Sequence, residues 1–240
     1  RYLLDSLGCA FGGLKQEDAE IALDVLEDIG GKGNSTILGT GKKTDAVTAS
    51  LANALMVRVM DYNDIYWQQD PSHPSDIIPA AMACGERAGG TGKDLVVGIV
   101  LGHEFEMRLC EAAFPGIRER GWHHATLTAF VSPIVAGWML GLDWEKIQHA
   151  IGISASRHST LGAVTAGKLT MMKNTVDPMA TQSGVLAALL AEKGYTGPEH
   201  VIDGKEGLVH CFGPEWKLNI LTDGLGDSWR IEKCGMKAFP

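Results

Sequence analysis

Residues 125–140, ATLTAFVSPIVAGWML, are apolar almost all round. A helix without a polar face must be covered on every side, so this segment is expected to be a buried, central helix despite Pro133. The rest of the chain supplies segments to surround it. Residues 17–29 carry apolar side chains at helical spacing and stop at Gly30-Gly31. Thr44 or Asp45 can cap a helix running to about residue 60, and Ser75-Asp76 can cap another ending near Gly89-Gly90. Residues 94–114 are expected to form a long helix closed by Pro115-Gly116. Asp143 can cap WEKIQHAIGISAS, and 174–193 is a further helix, with Asn174 as a possible cap, Pro178 in its first turns and Gly194 as its stop. Residues 34–43 form a turn with a short strand-like core. The fold class expected is mainly α.

The pattern changes after Tyr195. TGPEHVIDGKEGLVHCFG is rich in Gly and Pro, and WKLNILTDGLGDSWRIEKCGMKAFP holds short β-type runs between DG and GD turns. A boundary is therefore expected near residue 215, with a helical domain over 1–214 and an α+β part starting over 215–240. Arg1 begins in mid-pattern and GMKAFP ends on a strand-like run, so both ends are expected to be cut.

Charge and cysteine content narrow the functional classes. The net charge is -8 and the basic residues are scattered singly, with no stripe of the kind a nucleic-acid surface needs. Local cations can still receive an anionic substrate in a pocket. Cys9, Cys84, Cys110, Cys211 and Cys234 are odd in number and widely spaced, without a CxxC pair. Reduced thiols in a cytoplasmic compartment are expected, rather than a disulfide framework or a zinc site. The longest apolar stretches meet Gly, His or Arg too early to span a bilayer.

Between two hydrophobic helices lies DYNDIYWQQDPSHPSD, residues 61–76. Asp61 falls at a helix C-terminus, where its charge opposes the dipole and calls for a compensating cation or a proton-transfer role. Pro74 holds His73 extended, just ahead of a helix start whose free N–H groups suit an anion. A capping loop with surface acids is the plainer account. GWHHATLTAF places His123 and His124 before the apolar helix, as site residues or as satisfied loop histidines. GKLTMMKNTVDPMA holds Lys168 and Lys173 near a helix start; Lys173 can reach a pocket or be an ordinary solvated lysine, and Lys237 in GMKAFP has the same two readings. Glu104 and Arg108, four apart, can pair on a helix face. AGGTGK lacks P-loop spacing and context and is expected to be a helix–helix turn.

Taken together, these segments resemble the MmgE/PrpD family. DYNDIYWQQDPSHPSD matches its D-[FY]-[ND]-D-x-[WY] segment followed by HPS[DG]. RYLLDSLGCAFGG, LGHEFEMRL, GWHHATLTAF and MMKNTVDPMATQSGVLAALLAEKGYTGP resemble further family segments in order, so the resemblance covers essentially the whole chain. It implies an all-helical domain with a smaller α+β lid, of which residues 215–240 are the beginning, usually in a homodimer, without a metal or other cofactor. Family activities are 2-methylcitrate dehydration in propionate breakdown, cis-aconitate decarboxylation and iminodisuccinate epimerisation, all on small polycarboxylates.

By position, the resemblance implies Asp61, His73 and His123 as catalytic residues. Lys173, Lys237, Ser75 and His124 are implied as substrate-binding, with His124 also the alternative to His123. Ile65 departs from the pattern, because the family often has Thr or Ser there. Dehydration of a citrate-like molecule needs a base for the C–H proton, an acid for the hydroxyl and cations for the carboxylates; histidines and lysines are suited to these roles. Dehydration of 2-methylcitrate or a relative is thus the leading expectation. Decarboxylation or epimerisation is the first alternative, and a non-catalytic helical interaction domain is the second.

Overall fold

The computed structural model describes residues 1–213 and 215–239. Pro240, which ends the K-x-[FY]-P segment, lies outside the described residues, as does Pro214 at the expected domain boundary. The chain is mainly α, and its order of elements begins with two helices, α1 (Tyr2–Gly13) and α2 (Glu17–Ile29). A hairpin of β1 (Ser35–Ile37) and β2 (Lys42–Thr44) follows, so the turn expected over residues 34–43 is a two-strand unit that extends to Thr44. Asp45 accepts the Val47 and Thr48 N–H groups and caps α3 (Ala46–Arg58). The loop after α3 holds a short antiparallel pair, β3 (Tyr66–Trp67) and β4 (Pro71–Ser72).

A 3-10 turn, Pro74–Ile77, leads directly into α4 (Ile78–Ala88), and neither has a side-chain cap. The expected Ser75-Asp76 cap is therefore absent: both side chains are buried and make contacts away from the α4 N-terminus. Next comes α5 (Gly92–Ala112), started by a capping box between Thr91 and Asp94. β5 (Ala113–Phe114) continues from it, and the chain then reaches α6 (Ala125–Met139) and α7 (Trp144–Arg157), the latter capped by Asp143. α8 (Val176–Glu192) starts two residues beyond Asn174, whose amide donates instead to the Val59 carbonyl at 3.0 Å.

α6 lies at the centre, packed against α4, α5, α7 and α8, as its lack of a polar face requires. Only one turn approaches solvent, at Trp138. The contact with α8 depends on Gly184: a Cβ there would sit 2.0 Å from Ser132 Oγ and 2.6 Å from the Pro133 nitrogen. Pro133 removes a helical N–H, and the small residues opposite let the two backbones meet. Ser132 Oγ then donates to the Ala180 carbonyl at 3.0 Å.

Beyond α9 (Leu208–Phe212), the β-type runs seen in the sequence are mostly not strands. β6 (Glu215–Trp216) pairs antiparallel with β5, but Leu218–Leu221 and Arg230–Lys233 are 3-10 turns. The reason is local capture of their carbonyls. Arg108, buried on α5, donates to the Ile220 and Asp223 carbonyls at 2.6 and 2.8 Å while pairing with Glu104 at 2.6 Å. Tyr2 donates to the Ile231 and Cys234 carbonyls, and Ile65 and Gly235 exchange backbone hydrogen bonds. These ties carry residues 234–237 to the loop after α3.

Candidate active site

Asp61 ends the last turn after α3 in a left-handed conformation, φ 51°. Its carboxylate meets three cations drawn from distant parts of the chain. Arg58 Nη1 donates to Oδ1, Lys173 Nζ is 2.7 Å from Oδ2, and Lys237 Nζ is 2.6 Å from Oδ1. Burial alone would raise the Asp61 carboxyl. The Arg58 charge and hydrogen bonds from both lysines outweigh that and hold it well below the usual carboxylate range. The compensation that a carboxylate at this helix end called for is therefore present three times over.

The three cations line a cavity of about 730 Å³ whose wall also includes His73, His123 and His124. The three rings are a contiguous group: His124 lies 5.4 Å from His73 and 4.0 Å from His123, centroid to centroid. Burial pushes both the His73 and the His123 imidazole down to about 3, and nearby positive charge adds to the effect. Both rings are therefore neutral near pH 7, and each has a defined tautomer.

The tautomers are opposite. His73 Nδ1 is 2.6 Å from the Asp64 carbonyl, an acceptor only, so Nδ1 carries the proton and Nε2 the lone pair. His123 Nδ1 accepts the Ala125 N–H at 3.2 Å, so its proton is on Nε2. Neither Nε2 is hydrogen-bonded to the described residues, and both rings line the cavity. One imidazole is thus set to take a proton and the other to donate a hydrogen bond.

Asp64 supports this arrangement from beneath. Its fully buried carboxylate accepts the Ser75 hydroxyl at 2.5 Å and the Ser75 N–H at 3.2 Å, and lies 3.2 Å from His103 Nε2. Ser75 is therefore not on the cavity wall, where a substrate-binding role would place it; it is enclosed and orders Asp64. The N–H at this helix start, expected to be open to an anionic ligand, is occupied by the same carboxylate.

Several contributors are not evident from the sequence motifs. Arg58 is 2% exposed and sits between two further carboxylates, with its Nε 3.5 Å from Asp76 and 3.7 Å from Asp177. Its signal is a lone arginine inside LANALMVRVM, an otherwise apolar run that has to be buried. Asp177 contacts His124 Nε2 at 3.2 Å, although its place beside Pro178 looks like an ordinary first-turn acid. Arg118 adds a further cation to the cavity wall; its backbone N–H donates to Asp70, while its guanidinium has no ion pair within 4.0 Å among the described residues.

Among the described residues, two groups have ligand atoms close enough to hold a metal ion: His123, His124 and Asp177, and separately Asp64, His103 and Cys234. The first is a poor ligand set, because the Ala125 N–H leaves the proton of His123 on its cavity-side nitrogen. In the second, His103 Nε2 and Cys234 Sγ meet Asp64 Oδ2 at 3.2 and 3.3 Å, distances that hydrogen bonds account for. No helix among the described residues is long and apolar enough to cross a membrane.

Comparison with known sequences agrees with the motifs. Residues 1–221 match the model of the MmgE/PrpD N-terminal domain. A cis-aconitate decarboxylase of Aspergillus terreus is 26% identical over 255 residues, covering 100% of this chain and 51% of that protein. A mitochondrial 2-methylcitrate dehydratase of Yarrowia lipolytica is 29% identical over 216 residues, covering 84% and 41%. A 2-methylcitrate dehydratase of Escherichia coli O157:H7 is 26% identical over 207 residues, covering 81% and 42%. The chain spans about half the length of the curated relatives it matches.

Proposed function

This chain belongs to the MmgE/PrpD family, and from that premise we propose that the full-length protein is a hydro-lyase that removes water from 2-methylcitrate or a related small polycarboxylate. The observation that carries this reading is the pair of opposite tautomers in one cavity. His73 Nε2, with its lone pair, takes the proton from the carbon beside a carboxylate. That proton then passes from the His73 imidazolium to the departing hydroxyl, which leaves as water while His123 Nε2–H donates a hydrogen bond to it. An anionic substrate among these rings favours their charged forms and raises both pKa values, bringing His73 toward the basicity that proton abstraction needs.

Lys173 and Lys237 hold substrate carboxylates and stabilise the charge that develops as the C–H proton leaves. Asp61 keeps the two ammonium groups side by side, and three cations around one carboxylate leave the region positive. The reading assigns no metal or organic cofactor, because proton abstraction, proton donation and carboxylate binding each have a side chain. It also takes residues 215–240 as the start of a lid that delivers Lys237, in a cytoplasmic homodimer serving propionate breakdown.

A second reading is decarboxylation of cis-aconitate, favoured by the similarity to the Aspergillus terreus protein, which runs over the whole chain. Incubating the full-length protein separately with 2-methylcitrate and cis-aconitate, with products identified by mass, separates the two. An unsaturated tricarboxylate formed by loss of water supports dehydration. Loss of carbon dioxide from cis-aconitate supports the second reading, and turnover of neither contradicts both.

A further inference from the structure

Asp177 occupies the first turn of α8, where an acid ordinarily faces solvent and complements the helix dipole. Here it is 1% exposed and points inward. Its Oδ1 lies 3.2 Å from His124 Nε2 and its Oδ2 lies 3.7 Å from Arg58 Nε. Both contacts are within ion-pair distance but outside hydrogen-bond geometry, so Asp177 acts on the His124 ring and on Arg58 through charge and close packing. Arg58 in turn holds Asp61, the carboxylate on which Lys173 and Lys237 converge. One buried carboxylate therefore reaches both the histidine group and the cation group.

Asp76 lies 3.5 Å from the same Arg58 Nε, but its carboxylate accepts its hydrogen bond from the Asn63 amide, and its contact with His73 is a backbone one, N–H to carbonyl at 2.9 Å. Burial pushes the Asp76 carboxyl well above its usual range, with Asp177 and Asp64 adding to the rise. Asp177 moves the other way: His124, His123 and Arg58 together outweigh its burial and hold it well below the usual range. Of the two acids beside Arg58, Asp177 keeps the charge.

We infer that Asp177 is a positioning residue for the proposed reaction: it fixes the His124 imidazole, against which His73 and His123 are set, and it fixes the arginine that anchors Asp61. This inference rests on the polycarboxylate-lyase reading of the cavity, but its hold on His124 can be measured without turnover. Lys173 and Asp177 lie on one short stretch of chain, so the start of α8 supplies both a substrate contact and the carboxylate that orders the proton-transfer side.

The test is Asp177→Asn in the full-length protein, with steady-state kinetics on whichever of 2-methylcitrate and cis-aconitate the wild type consumes. Long-range proton–nitrogen spectra of histidine-labelled protein report the ring nitrogens in parallel. The expected result is a kcat lower by about a hundredfold, the scale of a misplaced proton-transfer group, with KM little changed. The His124 ring-nitrogen pattern should change as well. A purely structural role would lower the melting temperature but leave that pattern and the kcat of the folded enzyme as in wild type, and this overturns the inference. If the wild type consumes neither substrate, the lyase reading fails, while an unchanged His124 pattern still overturns the hold of Asp177 on that ring and a changed one supports it. If Asp177→Asn does not fold, Asp177→Glu carries the test. A changed His124 pattern with lowered kcat is then expected, and wild-type values of both overturn the inference.

Discussion

Lys237 Nζ lies 2.6 Å from Asp61 Oδ1 and 2.7 Å from the Asp61 carbonyl oxygen, although 176 residues separate them. The contact brings a lysine from the end of the chain to a site whose other groups come from α3, the following loop, the turn before α6 and the segment leading into α8. Asp61 is thus the point where the candidate site is assembled, and its replacement should show in both stability and turnover.

In Asp61→Asn, Arg58 loses a charged partner while 2% exposed, and two lysines lose the group that holds them together. The expected cost is about 1–3 kcal/mol of stability, the scale for a buried group left poorly satisfied, with a raised KM. Urea unfolding and steady-state kinetics check this. An unchanged midpoint with wild-type KM would remove Asp61 from its central place.

Lys173→Ala should leave folding nearly intact, because Asp61 keeps Arg58 and Lys237 and a partly exposed ion pair is worth about 1 kcal/mol or less. Catalytic efficiency should fall about ten- to a hundredfold or more, from loss of a charge-assisted contact of about 1.5–3 kcal/mol. His73→Gln should instead lower kcat more than apparent affinity. Circular dichroism controls for folding; wild-type efficiency in the Lys173 variant would make it an ordinary solvated lysine.

Acid should destabilise the protein through its neutral histidines. His73 and His123 have folded values of about 3 against an ordinary 6.5, so the unfolded chain takes up protons first as pH falls. Stability is therefore fully present above about pH 6.5 and is lost as pH falls toward about 3, at up to about 1.4 kcal/mol per pH unit for each ring. Urea midpoints between those limits should fall less steeply in His73→Gln than in wild type. Identical slopes would show that His73 is not held neutral.

Much of the fold is legible in the sequence, because helix periodicity and the Gly, Pro and Asp punctuation are local signals. The central place of 125–140 follows from its missing polar face, and Asp45 and Asp143 cap the helices they precede. The failures occur where a distant group captures the backbone or side chain. Arg108 takes the carbonyls of Ile220 and Asp223 and turns strand-like runs into 3-10 turns. Asp64 takes the N–H and hydroxyl of Ser75, which leaves no cap and no open anion site there. Motifs also pointed to Asp61, His73, His123, His124, Lys173 and Lys237, which the fold brings to one cavity. Arg58 and Asp177 carry no motif, and their importance lies only in burial and in their distances to those groups.

Arg108→Ala should cost about 3–5 kcal/mol, because Glu104 is left as a buried charge with one strong partner fewer. Residues 218–223, which Arg108 holds by their carbonyls, should become sensitive to limited proteolysis in this variant. Arg108→Lys should not restore protection, since an ammonium lacks the fork that spans a carboxylate and two carbonyls. Wild-type protection in either variant would show that other contacts hold this segment.

The most direct measurement of the division of labour between the two histidines is proton exchange at the substrate carbon in deuterated water. Full-length wild type, His73→Gln and His123→Gln are each incubated with 2-methylcitrate, and deuterium incorporation beside the carboxylate is followed by NMR alongside loss of water. If His73 removes the C–H proton and His123 assists hydroxyl departure, His123→Gln keeps exchange while losing dehydration, and His73→Gln loses both. Exchange at the wild-type rate in His73→Gln would contradict the assignment of His73 as the base.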